Sequence, residues 1–135
     1  MMLMRIMVFN RSITILSLIA SVFKQERYDV ILETFGIEVA ARIKATKPDL
    51  VVLDCPQGLI AKGWLIIQQL RTTPELASMP IVLCVSAERA LNLRGYLWAK
   101  GVFLLLKPYD MNDLLLLVEQ VLGTPEKLPD PSTES

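Results

Sequence analysis

Residues 48–54 read PDLVVLD: a proline and an aspartate, four apolar residues, and a closing carboxylate. A continuous apolar run of this kind, rather than an alternating one, is typical of a parallel strand that is covered on both faces. Similar runs occur at 5–9 (RIMVF), 81–85 (IVLCV) and 102–106 (VFLLL), and a weaker one at 29–33 (DVILE). We therefore predict five strands, most of them buried.

Segments of helical length separate these strands, and their apolar residues recur at helical spacing. The predicted helices are 12–27, 37–46, 63–71, 87–100 and 111–122. Strand and helix thus alternate five times, which implies right-handed crossovers and a parallel sheet with helices on both faces. The predicted fold class is a doubly wound α/β domain, a (βα)5 three-layer sandwich.

The domain is expected to occupy residues 1–123 of the 135-residue chain. Residues 124–135 (TPEKLPDPSTES) contain three prolines and no apolar periodicity, which predicts a disordered tail or linker. The apolar run 13–23 is too short and too interrupted by Ser and Thr to span a bilayer. It also lacks a secretory cleavage site, so we expect a cytoplasmic protein that does not span the membrane.

Composition excludes several classes of function. Basic and acidic residues number 14 each, so net charge gives no argument for binding nucleic acid or an anionic membrane. The chain has no histidine, which removes histidine-based general bases, Ser-His-Asp triads and most zinc sites. Cys55 and Cys84 lie in or beside apolar runs and are interpreted as buried, reduced side chains.

Polar residues stand at the carboxyl ends of the predicted strands, where open α/β sheets bind their ligands. These residues are Asn10, Arg11, Asp54, Ser86 and Lys107. A carboxylate, a hydroxyl group and an ammonium group are therefore expected to converge on one small pocket.

Three stretches in this order resemble the signature of response-regulator receiver domains, the phospho-accepting modules of two-component signalling. They are 48–54 (PDLVVLD), 74–87 (PELASMPIVLCVSA) and 104–115 (LLLKPYDMNDLL). The resemblance extends over roughly residues 4–123. It implies a flavodoxin-like fold with five parallel strands in the order 2-1-3-4-5.

The resemblance also implies roles for the matching residues. Asp54 would accept a phosphoryl group from the histidine of a partner kinase. Ser86 would be the switch hydroxyl that contacts the phosphoryl group, and Lys107 would pair with both, preceding a cis Pro108. Two acidic residues after the first strand would hold Mg²⁺, which neutralises the transferring phosphoryl group.

The chain departs from this family pattern at the metal-binding pair, where Asn10 and Arg11 stand in place of two acidic residues. Neither is an anionic ligand, so we expect no cofactor, or Mg²⁺ bound only weakly. Arg11 either joins Lys107 in compensating Asp54 or points into solvent. Other departures are Lys62 before Gly63, where the family has Asp-Gly, and Leu104 at the position of its aromatic switch residue, beside Phe103.

These features predict an atypical receiver that acts as a protein-interaction module, is not an enzyme, and has impaired Mg²⁺-dependent phosphorylation at Asp54. A working receiver, phosphorylated at Asp54 by a histidine kinase, is the alternative. A flavodoxin-like enzyme or cofactor-binding domain is a third reading, opposed by the absence of histidine and of a phosphate-binding loop. The expected partner is a protein, such as a histidine kinase or an output domain, and not a nucleic acid or a membrane.

Two surfaces are candidates for partner binding or homodimerisation. The first combines the helices 12–27 and 111–122: the former has small, uncharged residues at its presumed outward positions, and the latter contains four leucines at 114–117. Those outward positions are Thr14, Ser17, Ala20 and Ser21. The second surface combines the helix 87–100, which carries Tyr96 and Trp98, with the strand 102–106 and the helix 111–122. Tolerance of neutral surface residues explains the first pattern equally well, and core packing is the more common explanation for any one apolar residue of the helix 87–100.

Overall fold

The computed structural model describes residues 2–36, 38–55, 60–88, 90, 101–123 and 125–127, and gives no side-chain description for 60 and 61. Its strands are β1 (Arg5–Asn10), β2 (Asp29–Glu33), β3 (Leu50–Asp54), β4 (Ile81–Ser86) and β5 (Val102–Lys107). They form one sheet in the order β2-β1-β3-β4-β5, and every neighbouring pair is parallel. The predicted fold class and strand order are therefore confirmed.

The helices are α1 (Ile13–Gln25), α2 (Val39–Thr46), α3 (Ile60–Arg71) and α4 (Met111–Leu122). A short 3₁₀ turn, Pro74–Leu76, precedes β4. Residues 87, 88 and 90 are helical, as expected for the start of the predicted helix 87–100. The remainder of that helix, including Tyr96 and Trp98, lies outside the described residues.

Local capping explains where α1 and α4 begin. The Ser12 side chain accepts the N–H of Ile15 at 3.3 Å, so the first turn of α1 has a bonded donor. At α4, the side chains of Asp110 and Asp113 each accept the other's backbone N–H, which is a capping box. α4 ends at Gly123, whose φ of +83° suits glycine.

Alternate residues of the buried strands point to the two faces of the sheet. Met7 and Phe9 of β1 pack into a core beneath α2 and α3, while Ile6 and Val8 pack beneath α1 and α4. All four are fully buried. Continuous burial of β1, β3 and β4 therefore follows from helices that cover both sides of the sheet.

The outer face of α1 differs from the sequence prediction. Three of the four presumed outward positions are exposed, but Ala20 is buried. Ile15, which has the spacing of a buried residue, is 39% exposed, and its neighbours Ile13 and Leu18 are 73% and 51% exposed. The buried stripe consists of Leu16, Ile19, Ala20 and Phe23. The exposed face is thus partly aliphatic, because Ile15 lies at the edge of this narrow stripe.

Residues 125–127, the described part of the predicted tail or linker, pair with the N-terminal segment. Glu126 forms an antiparallel bridge with Leu3, and Lys127 N–H donates to the Met2 carbonyl at 3.1 Å. Glu126 also pairs with Arg27 at 3.0 Å, and Lys127 with Asp49 at 3.2 Å. The prediction for this segment was based on its proline content and lack of apolar periodicity, which give no indication of these two salt bridges. Among the described helices, none is long and apolar enough to cross a membrane.

Candidate functional site

Parallel register brings the predicted site residues to one edge of the sheet. Asn10 stands opposite Asp54 on β1 and β3, and Asp54 stands opposite Cys84 on β4. Ser86, which is half-buried, stands opposite Lys107 on β4 and β5. Asn10 and Asp54 are the buried polar residues of the described core, 5% and 8% exposed. The sheet thus brings the carboxylate of Asp54 and the ammonium group of Lys107 into contact, and the strand register places Ser86 beside Lys107.

Asp54 is held by three donors. Lys107 Nζ lies 2.5 Å from Asp54 Oδ1, while Asn10 Nδ2 and the Tyr109 hydroxyl donate to Oδ2 at 2.8 Å and 2.6 Å. Lys107 also donates to the carbonyl of Cys55 at 3.1 Å. A buried carboxylate requires a paired charge and bonded oxygens, and this arrangement supplies both.

Asn10 faces Asp54 with its amino group. The backbone N–H of Ser12 donates to Asn10 Oδ1 at 2.7 Å. Because a backbone N–H requires an acceptor, this bond identifies the oxygen end of the Asn10 amide. Ser12 is also the N-cap of α1. Asn10 therefore connects Asp54 to the start of α1 and acts toward Asp54 as a hydrogen-bond donor.

Tyr109 is a site residue that the sequence analysis missed. It follows Lys107 and Pro108, whose peptide bond is cis as the family resemblance implied. Burial raises the pKa of the Tyr109 hydroxyl, and the neighbouring Cys84 and Asp54 raise it further. The hydroxyl thus stays protonated and donates to Asp54. Its signal in the sequence was a polar aromatic residue just beyond a strand that ends at the same edge as Asp54.

Arg11 does not pair with Asp54. Its side chain is exposed, and in the part of the chain that the structure describes it forms neither an ion pair nor a hydrogen bond. Of the two alternatives from the sequence, the structure thus favours the side chain that faces solvent. Lys107 provides the compensating positive charge beside Asp54.

The donor set does not fit a Mg²⁺ ion, which prefers several hard oxygen ligands. Asn10 directs its N–H group at Asp54, and Arg11 is itself a cation. Within the described residues, no group of three or more His, Cys, Asp or Glu side chains could hold a metal. These residues therefore do not form a Mg²⁺ site of the usual oxygen-ligand kind.

The two cysteines are free and buried, as the sequence predicted. Burial raises the pKa of the Cys55 thiol to about 11, and the adjacent Asp54 raises it while Lys107 opposes the change. Burial also raises the pKa of Cys84. Both side chains are therefore protonated thiols near neutral pH and pack as small apolar groups.

A cavity of about 810 Å³ opens beside Asp54. Its polar wall consists of the strand-end residues around Asp54 and Lys107, and its apolar wall comes mainly from α1 and the start of α4. The lining residues are Asn10, Arg11, Ile15, Leu18, Asp54, Lys107, Pro108, Tyr109, Asp110 and Met111.

No family model and no curated protein matches the sequence. Solved structures do match. The chemotaxis response regulator CheY4 of Vibrio cholerae superposes with a TM-score of 0.77 and 19% identity over 90% of this chain and 100% of that one. A response regulator receiver modulated diguanylate cyclase from Pelobacter carbinolicus superposes with a TM-score of 0.64. The two share 25% sequence identity over 90% of this chain and 93% of that one.

The receiver domain of the sensor histidine kinase PA1611 from Pseudomonas aeruginosa also matches. Its TM-score is 0.72, with 18% identity over 91% of this chain and 100% of that one. That structure has a magnesium ion coordinated in its active-site cleft. These comparisons show that the chain has the fold of response-regulator receiver domains, as the three sequence stretches implied.

Proposed function

We propose that this chain is an atypical receiver domain of two-component signal transduction that acts by binding protein partners rather than as an enzyme. In this proposal Asp54 is the inherited phospho-acceptor, Ser86 and Lys107 are its retained companions, and Mg²⁺-dependent phosphorylation is impaired. The partner is a histidine kinase or an output domain in the cytoplasm. The receiver fold and the Lys107–Asp54 contact of 2.5 Å support the receiver assignment.

The Asn10 side chain carries the argument for impaired phosphorylation. It donates to Asp54 Oδ2 at 2.8 Å, in the place where the family resemblance implies a carboxylate ligand for Mg²⁺. Phosphoryl transfer without the metal ion loses an electrostatic stabilisation of several kcal/mol in the transition state. The Tyr109 hydroxyl donates to the same carboxylate oxygen, so bonding of a phosphoryl group to Oδ2 requires displacement of both donors.

Labelling with acetyl phosphate tests the proposal. We expect purified wild-type protein to show no stable label on Asp54 at millimolar Mg²⁺. The double variant Asn10→Asp/Arg11→Asp restores an acidic pair and is expected to gain both Mg²⁺ binding and the label. Adding Asp54→Asn to the double variant should remove the label. Stable labelling of Asp54 in the wild type would contradict the proposal.

A functional phospho-accepting receiver is the second candidate. It is favoured by the retention of Asp54 and Lys107 in direct contact, and of Ser86 opposite Lys107 in the β4–β5 register. In that case Mg²⁺ would be held by Asp54, backbone carbonyl groups and water. The wild-type labelling result distinguishes the two candidates directly.

The exposed aliphatic residues of α1 and α4 support a docking surface on that side of the sheet. Ile13 of α1 is 73% exposed, and Leu116 of α4 is 56% exposed. We propose that the chain also self-associates through this face, because exposed apolar residues on neighbouring helices suit packing against another helix. Leu117, by contrast, packs against the core and is less suited to a surface test.

Sedimentation of the wild type, Leu116→Glu and Leu65→Glu tests self-association. Leu65 lies on α3 and is 57% exposed, so it is a matched control for Leu116. We expect a wild-type dimer that is lost in Leu116→Glu and retained in Leu65→Glu. A monomer for all three proteins would defeat this part of the proposal.

A further inference from the structure

The cavity beside Asp54 has the size and character of a small-molecule site. Its volume is about 810 Å³, and sites for small ligands are mostly apolar clefts of roughly 300–1,000 Å³ with a few polar groups. Ile15, Leu18 and Met111 supply its apolar lining. Two of these side chains are unusually open for aliphatic residues, since Ile15 is 39% and Leu18 is 51% exposed.

The acidic groups in the cavity wall are already bonded within the protein. Asp54 accepts from Lys107, Asn10 and Tyr109. Asp110 accepts the N–H of the α4 capping box at 2.8 Å. Asp54 therefore has little acceptor capacity left for a ligand that would offer only hydrogen-bond donors, whereas the exposed Asp110 accepts one such bond.

Arg11 is the unmatched polar group of the same wall. It is exposed, and within the described residues it makes neither an ion pair nor a hydrogen bond, so the donors of its guanidinium group remain available. The first turn of α1, which begins two residues later, contains no acidic side chain. The positive end of that helix thus adds to the charge of Arg11 and favours an anion.

We infer that this cavity binds a small amphipathic anion. Its apolar body lies against Ile15, Leu18 and Met111, and its carboxylate- or sulfonate-type head group pairs with Arg11. The inference goes beyond the proposed function, because it requires neither phosphorylation of Asp54 nor a protein partner. Its test also measures a different quantity, so the two can fail independently.

Two fluorescent probes of the same ring system test the inference. Anilinonaphthalenesulfonate carries one sulfonate, and phenylnaphthylamine is its uncharged analogue. We expect Arg11→Gln to weaken binding of the sulfonate about tenfold, because one hydrogen bond between charged groups is lost. The affinity for the neutral probe should not change. Lys24→Gln removes one positive charge from the other end of α1 and should change neither affinity.

The apolar wall is tested with Leu18→Asp and the control Leu65→Asp. Leu65 is 57% exposed and lies on α3, outside the residues that line the cavity. We expect Leu18→Asp to weaken both probes and Leu65→Asp to weaken neither. The inference is overturned if Arg11→Gln acts no more strongly than Lys24→Gln, or if the two leucine variants bind alike. Unfolding curves of every variant establish that the comparison concerns folded protein.

Discussion

Asn10 and Asp54 stand opposite each other on neighbouring parallel strands, and the Asn10 amide donates to Asp54 Oδ2 at 2.8 Å. The neutral amide stabilises the charged carboxylate without adding a second negative charge to the buried edge of the sheet. Asp54 can therefore remain charged in this site with Lys107 as the cation in direct contact with it.

Asn10→Asp should destabilise the protein in the absence of metal ions. Two buried carboxylates in contact repel each other unless one is protonated, so the loss is expected to be about 1–3 kcal/mol near pH 7 and smaller near pH 4. Urea unfolding in EDTA measures this difference. Asn10→Ala removes the bonds to Asp54 and to the Ser12 N–H without adding charge, so its loss of stability should depend less on pH. Equal losses for Asn10→Asp at both pH values would contradict the prediction.

Tyr109→Phe should lower the free energy of unfolding by about 1–3 kcal/mol, since it removes a donor from a buried carboxylate. Urea unfolding at neutral pH provides the measurement. Tyr28→Phe is the matched control, because the buried Tyr28 hydroxyl has no hydrogen-bond partner in the described part of the protein. Its removal is expected to be neutral or stabilising. Equal effects of the two substitutions would show that the Tyr109–Asp54 bond contributes nothing to stability.

Gly63→Ala should destabilise the protein even though alanine favours helices. A Cβ at this position of α3 would lie 2.6 Å from Cys55 Sγ, and such overpacking costs about 1–3 kcal/mol. Cys55→Ala removes the sulfur and should make the second substitution less costly, which a double-mutant cycle measures as coupling. Gly36→Ala is the control, since its nearest neighbour would be 3.7 Å away. Additive effects of Gly63→Ala and Cys55→Ala would rule out this clash.

Stability should fall as the pH rises above about 9, and Cys55 should contribute to that fall. The pKa of its thiol is raised from 9.0 to about 11, so over this range the unfolded chain loses the proton while the native protein keeps it. Linkage then lowers the stability by up to about 1.4 kcal/mol per pH unit for this group. Urea unfolding under reducing conditions should show a shallower decline for Cys55→Ala than for the wild type. Parallel declines would contradict the assignment.

The sequence was sufficient for the fold and for the inherited part of the site. Continuous apolar runs such as 50–53 indicate which strands are buried on both faces, and strand ends in a parallel sheet meet at one edge. Asp54 and Lys107 were therefore predictable as neighbours, and the structure places them in contact. Their positions depend only on the register of regular elements.

The other contacts of the site depend on the direction of individual side chains and on the course of the loops. The spacing of apolar residues in the sequence does not predict either of these. Tyr109 donates to Asp54 from two residues beyond the end of β5, and Arg11 faces solvent although its neighbour Asn10 is buried. On α1, Ile15 and Ala20 exchange their expected exposure, since the orientation of a helix on the sheet is set by packing. The pairing of 125–127 likewise requires Leu3 to lie alongside, which is a tertiary relationship.

The Asn10 amide has one further consequence. One end of the amide binds Asp54, and the other accepts the backbone N–H of the residue that caps α1. Loss of the charge on Asp54 would therefore weaken one of the two bonds that hold the Asn10 side chain in place. The buried acid and the start of α1 are thus connected through a single amide.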